Sequence, residues 1–330
     1  MAGTRGDMFA TGVTEASTHF CGWTARPKQM TMGPQFAEDH PLYAAFYHGR
    51  RGTEPWFDFD EAVVTTALDW LATKPGGPWV LFVPLIFPHL PFEVEEPFYS
   101  RHCAADMKLP RGFGRRKPDF HAALRHANQS HRLGEDDWRE IIRTYYGMIA
   151  RVDDQVGRLV AAVDAIGETH STSVWFFTDH GEYLGDFGLV EKWPSGLDEC
   201  LLRNPLIATL PGQSAAAQHD GFVEMVDLLP TLLALGDIEP AHTHFGRNLL
   251  PALKDASTVV RDAAMSEGGF RVGDAHLFEQ PTGEYRRKGE LQRDQPKLVG
   301  KAIVRREADW TYVHRLYEQD ELYDRRQDPR

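Results

Sequence analysis

Thr172-Ser173-Val174-Trp175-Phe176-Phe177 is a short apolar run that leads straight into Thr178-Asp179-His180-Gly181-Glu182. A run of that length, rich in β-branched and aromatic residues, reads as a strand buried on both faces. In parallel α/β sheets ligands gather at the carboxyl ends of strands, so chemistry is expected just past Phe177. Asp179 offers a hard oxygen and His180 an imidazole nitrogen, a pair suited to a divalent cation. Taken alone, the same residues would equally suit a helix cap beside a locally bonded histidine.

The flanking sequence extends the pattern. Upstream, Trp138, Ile141, Ile142, Tyr145, Ile149, Val152, Val156, Leu159 and Val163 recur at spacings of three and four, which predicts one long helix over 136–166, ended by Gly167. Further upstream, 60–71 has helical periodicity, and after Pro75-Gly76-Gly77-Pro78 the run Trp79-Val80-Leu81-Phe82-Val83 reads as another strand buried on both faces. Downstream, 205–210 reads as a third strand closed by Pro211-Gly212. Residues 227–235 read as a helix with Pro230 in its first turn. Helices alternating with such strands predict an α/β domain with a largely parallel central sheet flanked by helices. Beyond Pro251 the pattern changes to the short mixed segments 301–305, 310–315 and 321–324. The expected division is therefore an α/β domain over 1–250 and a small C-terminal antiparallel α+β subdomain over 251–330.

Composition narrows the function. The 330 residues are 42% apolar and carry a formal net charge of −12, as expected of a globular chain and unfavourable for a general nucleic-acid binder. The three cysteines, Cys21, Cys103 and Cys200, have no CxxC spacing, so neither a disulfide framework nor a zinc knuckle is expected. The longest apolar stretch, 79–92, is broken by prolines and is too short to span a bilayer. No apolar leader is visible after Met1, so a cytoplasmic location is the expectation, subject to whatever sequence precedes Met1 in a longer chain.

Two further segments bear on chemistry. Pro88-His89-Leu90-Pro91-Phe92 follows the earlier apolar run as Asp179-His180 follows the later one. The flanking prolines restrict the backbone that presents His89. Lys192, in Val190-Glu191-Lys192-Trp193-Pro194, closes a glycine-bearing stretch after Asp179; near a metal it would suit an oxyanion, and otherwise it would pair with Glu191 on the surface. The segment 108–132 carries seven basic residues against one acid, and reads either as a solvated loop or as a lid for an anionic substrate. His121, His126 and His131, five apart, share no helix face. No GxGxxG, P-loop, HExxH or GxSxG occurs.

The order and spacing of PHLPF, YYGMIARVDDQVGRL, TDHGEYLGDFGLVEKWPS, RNPLIATLPG, VDLLPTLLALGDIEP, GRNLLPAL and ELYDRRQDP resemble the sulfatases of the alkaline phosphatase superfamily through almost the whole chain. That resemblance implies an alkaline phosphatase-like fold and metal-dependent hydrolysis of a small anionic sulfate or phosphate ester. It also implies that Asp179 and His180 are ligands to one divalent cation, with calcium, manganese and zinc all open, and that His89 and Lys192 contact the sulfate oxygens and leaving group.

The chain also departs from the family pattern. The family's nucleophile is a formylglycine made from the cysteine of Cys-x-Pro-x-Arg, whereas the cysteines here open CGWTAR, CAADM and CLLRN. The family's first-strand aspartate pair is absent too, and Phe187 stands where many members have a second histidine. The expectation is a chain that corresponds to the C-terminal two-thirds of a sulfatase and is inactive by itself. The alternatives are a phosphate or phosphonate monoester hydrolase relative, for which Asp-His is also suited, and a non-catalytic anion binder.

Overall fold

The computed structural model describes residues 33–53, 58–73, 76–114, 117–213 and 216–327. Cys21, Pro75, Arg115, Arg116 and the last three residues of the chain lie outside them. In chain order the elements used below are β1 (Tyr47–Arg50), α1 (Phe59–Thr73), β2 (Phe92–Val94), α2 (Asp119–Ala127), α3 (Glu135–Ala165), β3 (Val174–Phe177), β4 (Leu206–Thr209), α4 (Leu228–Leu235), β5 (Ala264–Gly268), α5 (Arg286–Asp294), β6 (Ala302–Arg306), β7 (Trp310–Arg315) and β8 (Glu321–Asp324). No described helix is long and apolar enough to cross a membrane. Contacts divide the chain into two compact units, residues 1–109 with 133–172, and residues 110–132 with 173–330.

In the first unit the 31-residue α3 and the 15-residue α1 form as their periodicity predicts. Ile141, Met148 and Val152 of α3 and Val64 and Leu71 of α1 are buried, and Gly167 at φ 75° carries the turn that ends α3. The two strands of this unit, β1 and β2, pair in parallel.

Residues 79–83 are not a strand buried on both faces. Side chains alternate along the run, with Trp79, Leu81 and Val83 half-buried while Val80 is 92% and Phe82 73% exposed. The run lacks ladder partners among the described residues, and a strand exists only through hydrogen bonds to a neighbour. Trp79 anchors the covered side, packing edge-on against Trp70 at 5.7 Å and donating to Glu168 at 2.8 Å. An extended apolar run with one uncovered side is a template for self-association. Light scattering by the purified chain is therefore expected to rise with concentration, and Val80→Lys with Phe82→Lys to raise the onset several-fold. An unchanged onset would place the adhesive surface elsewhere.

In the second unit β3 forms where expected but pairs with β4 in antiparallel register, Val174 opposite Thr209 and Phe177 opposite Leu206. Among the described residues outside the C-terminal sheet, strands pair once in parallel, β1–β2, and once antiparallel, β3–β4. Helix α4 begins at Leu228, which puts Pro230 in its first turn as anticipated. The C-terminal strands form an antiparallel sheet of order β5-β6-β7-β8, in which β5 is a strand the periodicity did not reveal.

Among its described residues the basic segment is not a solvated loop throughout. Part of it is α2, whose Phe120, His121 and Leu124 are buried in a core with Tyr183, Phe187, Leu189 and Trp193. Two of its cations are engaged by carboxylates of the same unit: Arg111 donates to Asp186 and Lys117 to Asp198.

Candidate active-site segments

Asp179 and His180 follow β3 directly, as the sequence predicts. The backbone N–H of His180 donates to Asp179 Oδ1 at 2.9 Å, and the Asp179 carboxylate is 89% exposed. Nδ1 of His180 lies 2.8 Å from the Gly181 carbonyl. A carbonyl can only accept, so Nδ1 carries the proton, and Nε2 of the neutral ring is the lone-pair nitrogen. That nitrogen lies 3.7 Å from Asp179 Oδ2. Gly181 is required by close approach: a Cβ there would sit 1.9 Å from the Cys200 carbonyl oxygen, and its N–H donates to Leu201 at 2.8 Å. The loop is thereby packed onto the short helix Glu199–Leu202.

From His180 the chain turns back through Leu184, Phe187 and Glu191, all in the left-handed region at φ 47°, 58° and 68°. Three such residues outside glycine are costly and persist only where surrounding contacts hold them. Glu182 supplies one such contact, accepting from the backbone N–H groups of Leu184 and Glu191. Burial, reinforced by the neighbouring Glu191, pushes the Glu182 carboxyl up to about 7. Phe187 fills the core. Its ring receives Lys117 at 4.1 Å and Arg111 at 4.7 Å, which makes it a cation–π platform rather than a ligand.

Lys192 donates to Glu191 at 2.9 Å, the pairing the sequence allowed for a lysine beside an acid. This is not a surface pair, because the Glu191 side chain is only 2% exposed and its other oxygen lies 2.7 Å from Lys288 Nζ on α5. Below this loop the carboxylate of Asp198 gathers Lys117 at 2.9 Å, His121 Nε2 at 3.0 Å and the Tyr183 hydroxyl at 2.6 Å. His121, set aside in the sequence reading, is fully buried in this hub. Its signal was available only as a histidine on the apolar face of α2. Burial pushes the Cys200 thiol far above its ordinary value, as do Asp198 and Asp186, so it is no thiolate nucleophile.

His89 belongs to the other unit. Its Nδ1 lies 2.8 Å from the Leu90 carbonyl, the same device that orients His180. The backbone before it is held by Asp60, whose carboxylate accepts from the N–H groups of Ile86 at 2.7 Å and Phe87 at 2.9 Å. The Phe87 ring lies 4.8 Å from each of the Arg51 and Arg151 guanidiniums. Arg151 of α3 is buried and bonded to Glu95 at 2.6 Å and to Asp58.

An α/β chain with an aspartate-histidine pair just past a strand, followed by a looped lysine, is built like the alkaline phosphatase superfamily. Residues 11–238 match the sulfatase family model, and the chain belongs to the sulfatase family. It is 32% identical over 209 residues to the multifunctional alkaline phosphatase superfamily protein PehA of Trinickia caryophylli, a match covering 57% of this chain and 40% of that protein. Over 286 residues it is 28% identical to the uncharacterized sulfatase YidJ of Escherichia coli K12, covering 83% of this chain and 50% of YidJ. Among solved structures, the phosphonate monoester hydrolase of Agrobacterium radiobacter aligns with a TM-score of 0.66 at 25% identity, covering 93% of this chain and 58% of that one. The chain spans about half the length of the curated relatives it matches.

Proposed function

We propose that this chain carries the anion- and metal-contacting part of a sulfuric ester hydrolase. Asp179 and His180 would hold one divalent cation, calcium, manganese or zinc. His89 and Lys192 would contact the oxygens and leaving group of a small anionic ester. The observation that carries the reading is the Asp179–His180 pair itself. The imidazole is pinned through Nδ1, as histidine ligands to metals usually are, and its Nε2 is 3.7 Å from a carboxylate oxygen. That spacing suits two ligands each roughly 2.0–2.6 Å from one cation. The bound cation would supply charge stabilisation on the transferred group. For their part, Lys192 would bring positive charge to the anion, and His89 would hold or deliver a proton at Nε2 when the leaving oxygen departs. We assign this chemistry to residues 1–250 and an appended, largely structural role to 251–330.

The pair is a fragmentary donor set. Among the described residues no group of three His, Cys, Asp or Glu side chains is placed to hold a metal ion. Calorimetric titration with manganese and calcium is therefore expected to give weak binding, with a dissociation constant on the order of 0.1–1 mM or higher. Asp179→Ala and His180→Ala should each abolish it, while Phe187→Ala should not act through coordination. Tight binding indifferent to Asp179→Ala would move the metal to other residues.

A second reading, hydrolysis of phosphate or phosphonate monoesters, is favoured by the similarity to the Agrobacterium radiobacter phosphonate monoester hydrolase and to PehA. A third is an anion binder without turnover, which gains ground if no Cys-x-Pro-x-Arg precedes these residues in the protein. Competition between inorganic sulfate, phosphate and phenylphosphonate for the same site separates the first two. Activity assays separate the third.

A further inference from the structure

We propose that Glu191 and Lys288 form a buried bridge that positions Lys192 for an anion, so that α5, far along the chain, sets the behaviour of the candidate site. The inference rests on the reading of Lys192 as an anion contact and adds to it the residues that hold the ammonium in place. Glu191 presents one carboxylate oxygen to Lys192 Nζ at 2.9 Å and the other to Lys288 Nζ at 2.7 Å. The second contact is an ion pair without hydrogen-bond alignment. Lys288 is a lysine only 4% exposed, and its next acidic neighbour, Glu279, is 3.6 Å away.

A buried lysine is costly unless its charge is answered, so its presence under a candidate substrate contact calls for a physical account. The arrangement provides one. A single buried carboxylate beside a single ammonium would hold that ammonium in a closed pair and offer little net charge to an anion. With Lys288 on its far side, Glu191 is shared between two ammonium groups, so its hold on Lys192 is weaker than in a closed pair, while Glu279, 3.6 Å from Lys288, answers part of the second charge. The backbone is shaped to the same end: Glu191 sits at φ 68°, and its N–H is taken by Glu182. The residue that bonds Lys192 is thus fixed both in main chain and in side chain. Glu191 and Lys288 are positioning residues and touch no substrate in this assignment.

The test is limited acetylation of the intact chain with acetic anhydride. Modification at Lys192 is read by peptide mass spectrometry against the exposed Lys254, with and without inorganic phosphate. Lys288→Met removes the rival cation, so Lys192 should be held more tightly by Glu191 and react several-fold more slowly than in the wild type. Glu191→Gln removes the carboxylate, so Lys192 should react several-fold faster. Lys288→Arg should leave the rate within about twofold. A merely structural role would loosen the loop in both variants and speed both reactions, so the opposed directions carry the inference. Should Lys288→Met fail to fold, Glu191→Gln and Lys288→Arg decide it: an unchanged rate in the first or an accelerated one in the second overturns the bridge. Phosphate should slow Lys192 modification in the wild type and lose that protection in Lys288→Met. If phosphate protects no form while the opposed rate changes hold, the bridge stands and the reading of Lys192 as an anion contact fails.

Discussion

The 330-residue chain, supplied with manganese or calcium, is expected to release nitrophenol from nitrophenyl sulfate no faster than buffer does. Turnover in this chemistry needs a nucleophile that forms a covalent intermediate, and loss of such a group costs on the order of 10⁶-fold in rate. None of Cys21, Cys103 and Cys200 lies in a Cys-x-Pro-x-Arg setting. Cys200 is further disqualified by a thiol that burial keeps protonated. In the proposed assignment Asp179 and His180 would bind and polarise through a cation, and without a nucleophile they could not attack. Nitrophenyl phosphate and a phenylphosphonate ester should behave alike. Metal-dependent release above background, abolished by Asp179→Ala, would sink this expectation and show that a different group attacks.

Asp198→Asn should lower stability by about 3–5 kcal/mol, the range for breaking a buried ion pair from one side. For a chain of this size that is a fall in Tm of roughly 4–7 °C. The carboxylate is 10% exposed and answers Lys117, His121 and Tyr183 together. Asparagine would leave the Lys117 ammonium, 12% exposed, without its carboxylate, and would offer one acceptor oxygen in place of two. Burial by itself would raise the Asp198 pKa, but His121, Lys117 and Tyr183 outweigh it and hold the carboxyl far below the usual carboxylate range. A depressed folded-state value means the contribution is fully present above the unfolded value of roughly 3.9 and disappears as pH falls through the folded one. Wild type and Asp198→Asn should therefore differ most near neutrality and converge in strong acid. Chemical denaturation at pH 7 and pH 2 checks both the size and the convergence. Equal stabilities at pH 7 would show that the hub is neutral in net effect.

The family of the chain was legible in one dimension, and the residues proposed for its chemistry were picked out there as well. Long periodic runs such as 136–166 and 227–235 specify helices through their own spacing, and the Gly167 and Pro230 signals act within a turn of where they stand. Asp179, His180, His89 and Lys192 could be singled out because each follows an apolar run or closes a short loop, and because seven motifs occur in the family's order. The run 79–83 shows where such reading stops. Its composition says strand, but a strand's state depends on a neighbour that the run itself cannot specify. The antiparallel pairing of β3 with β4 is likewise a choice between partners.

Tertiary structure alone decided which charges do structural work. Nothing local to Lys192 reveals that its partner Glu191 is shared with Lys288, 96 positions away from it. Nor does the basic look of 108–132 reveal that Lys117 and Arg111 serve Asp198, Asp186 and the Phe187 ring. The physical reason is that a charge's role is set by what surrounds it. Desolvation and partner distance, which separate a surface ion pair worth little from a buried bridge worth several kcal/mol, exist only once distant segments have been brought together.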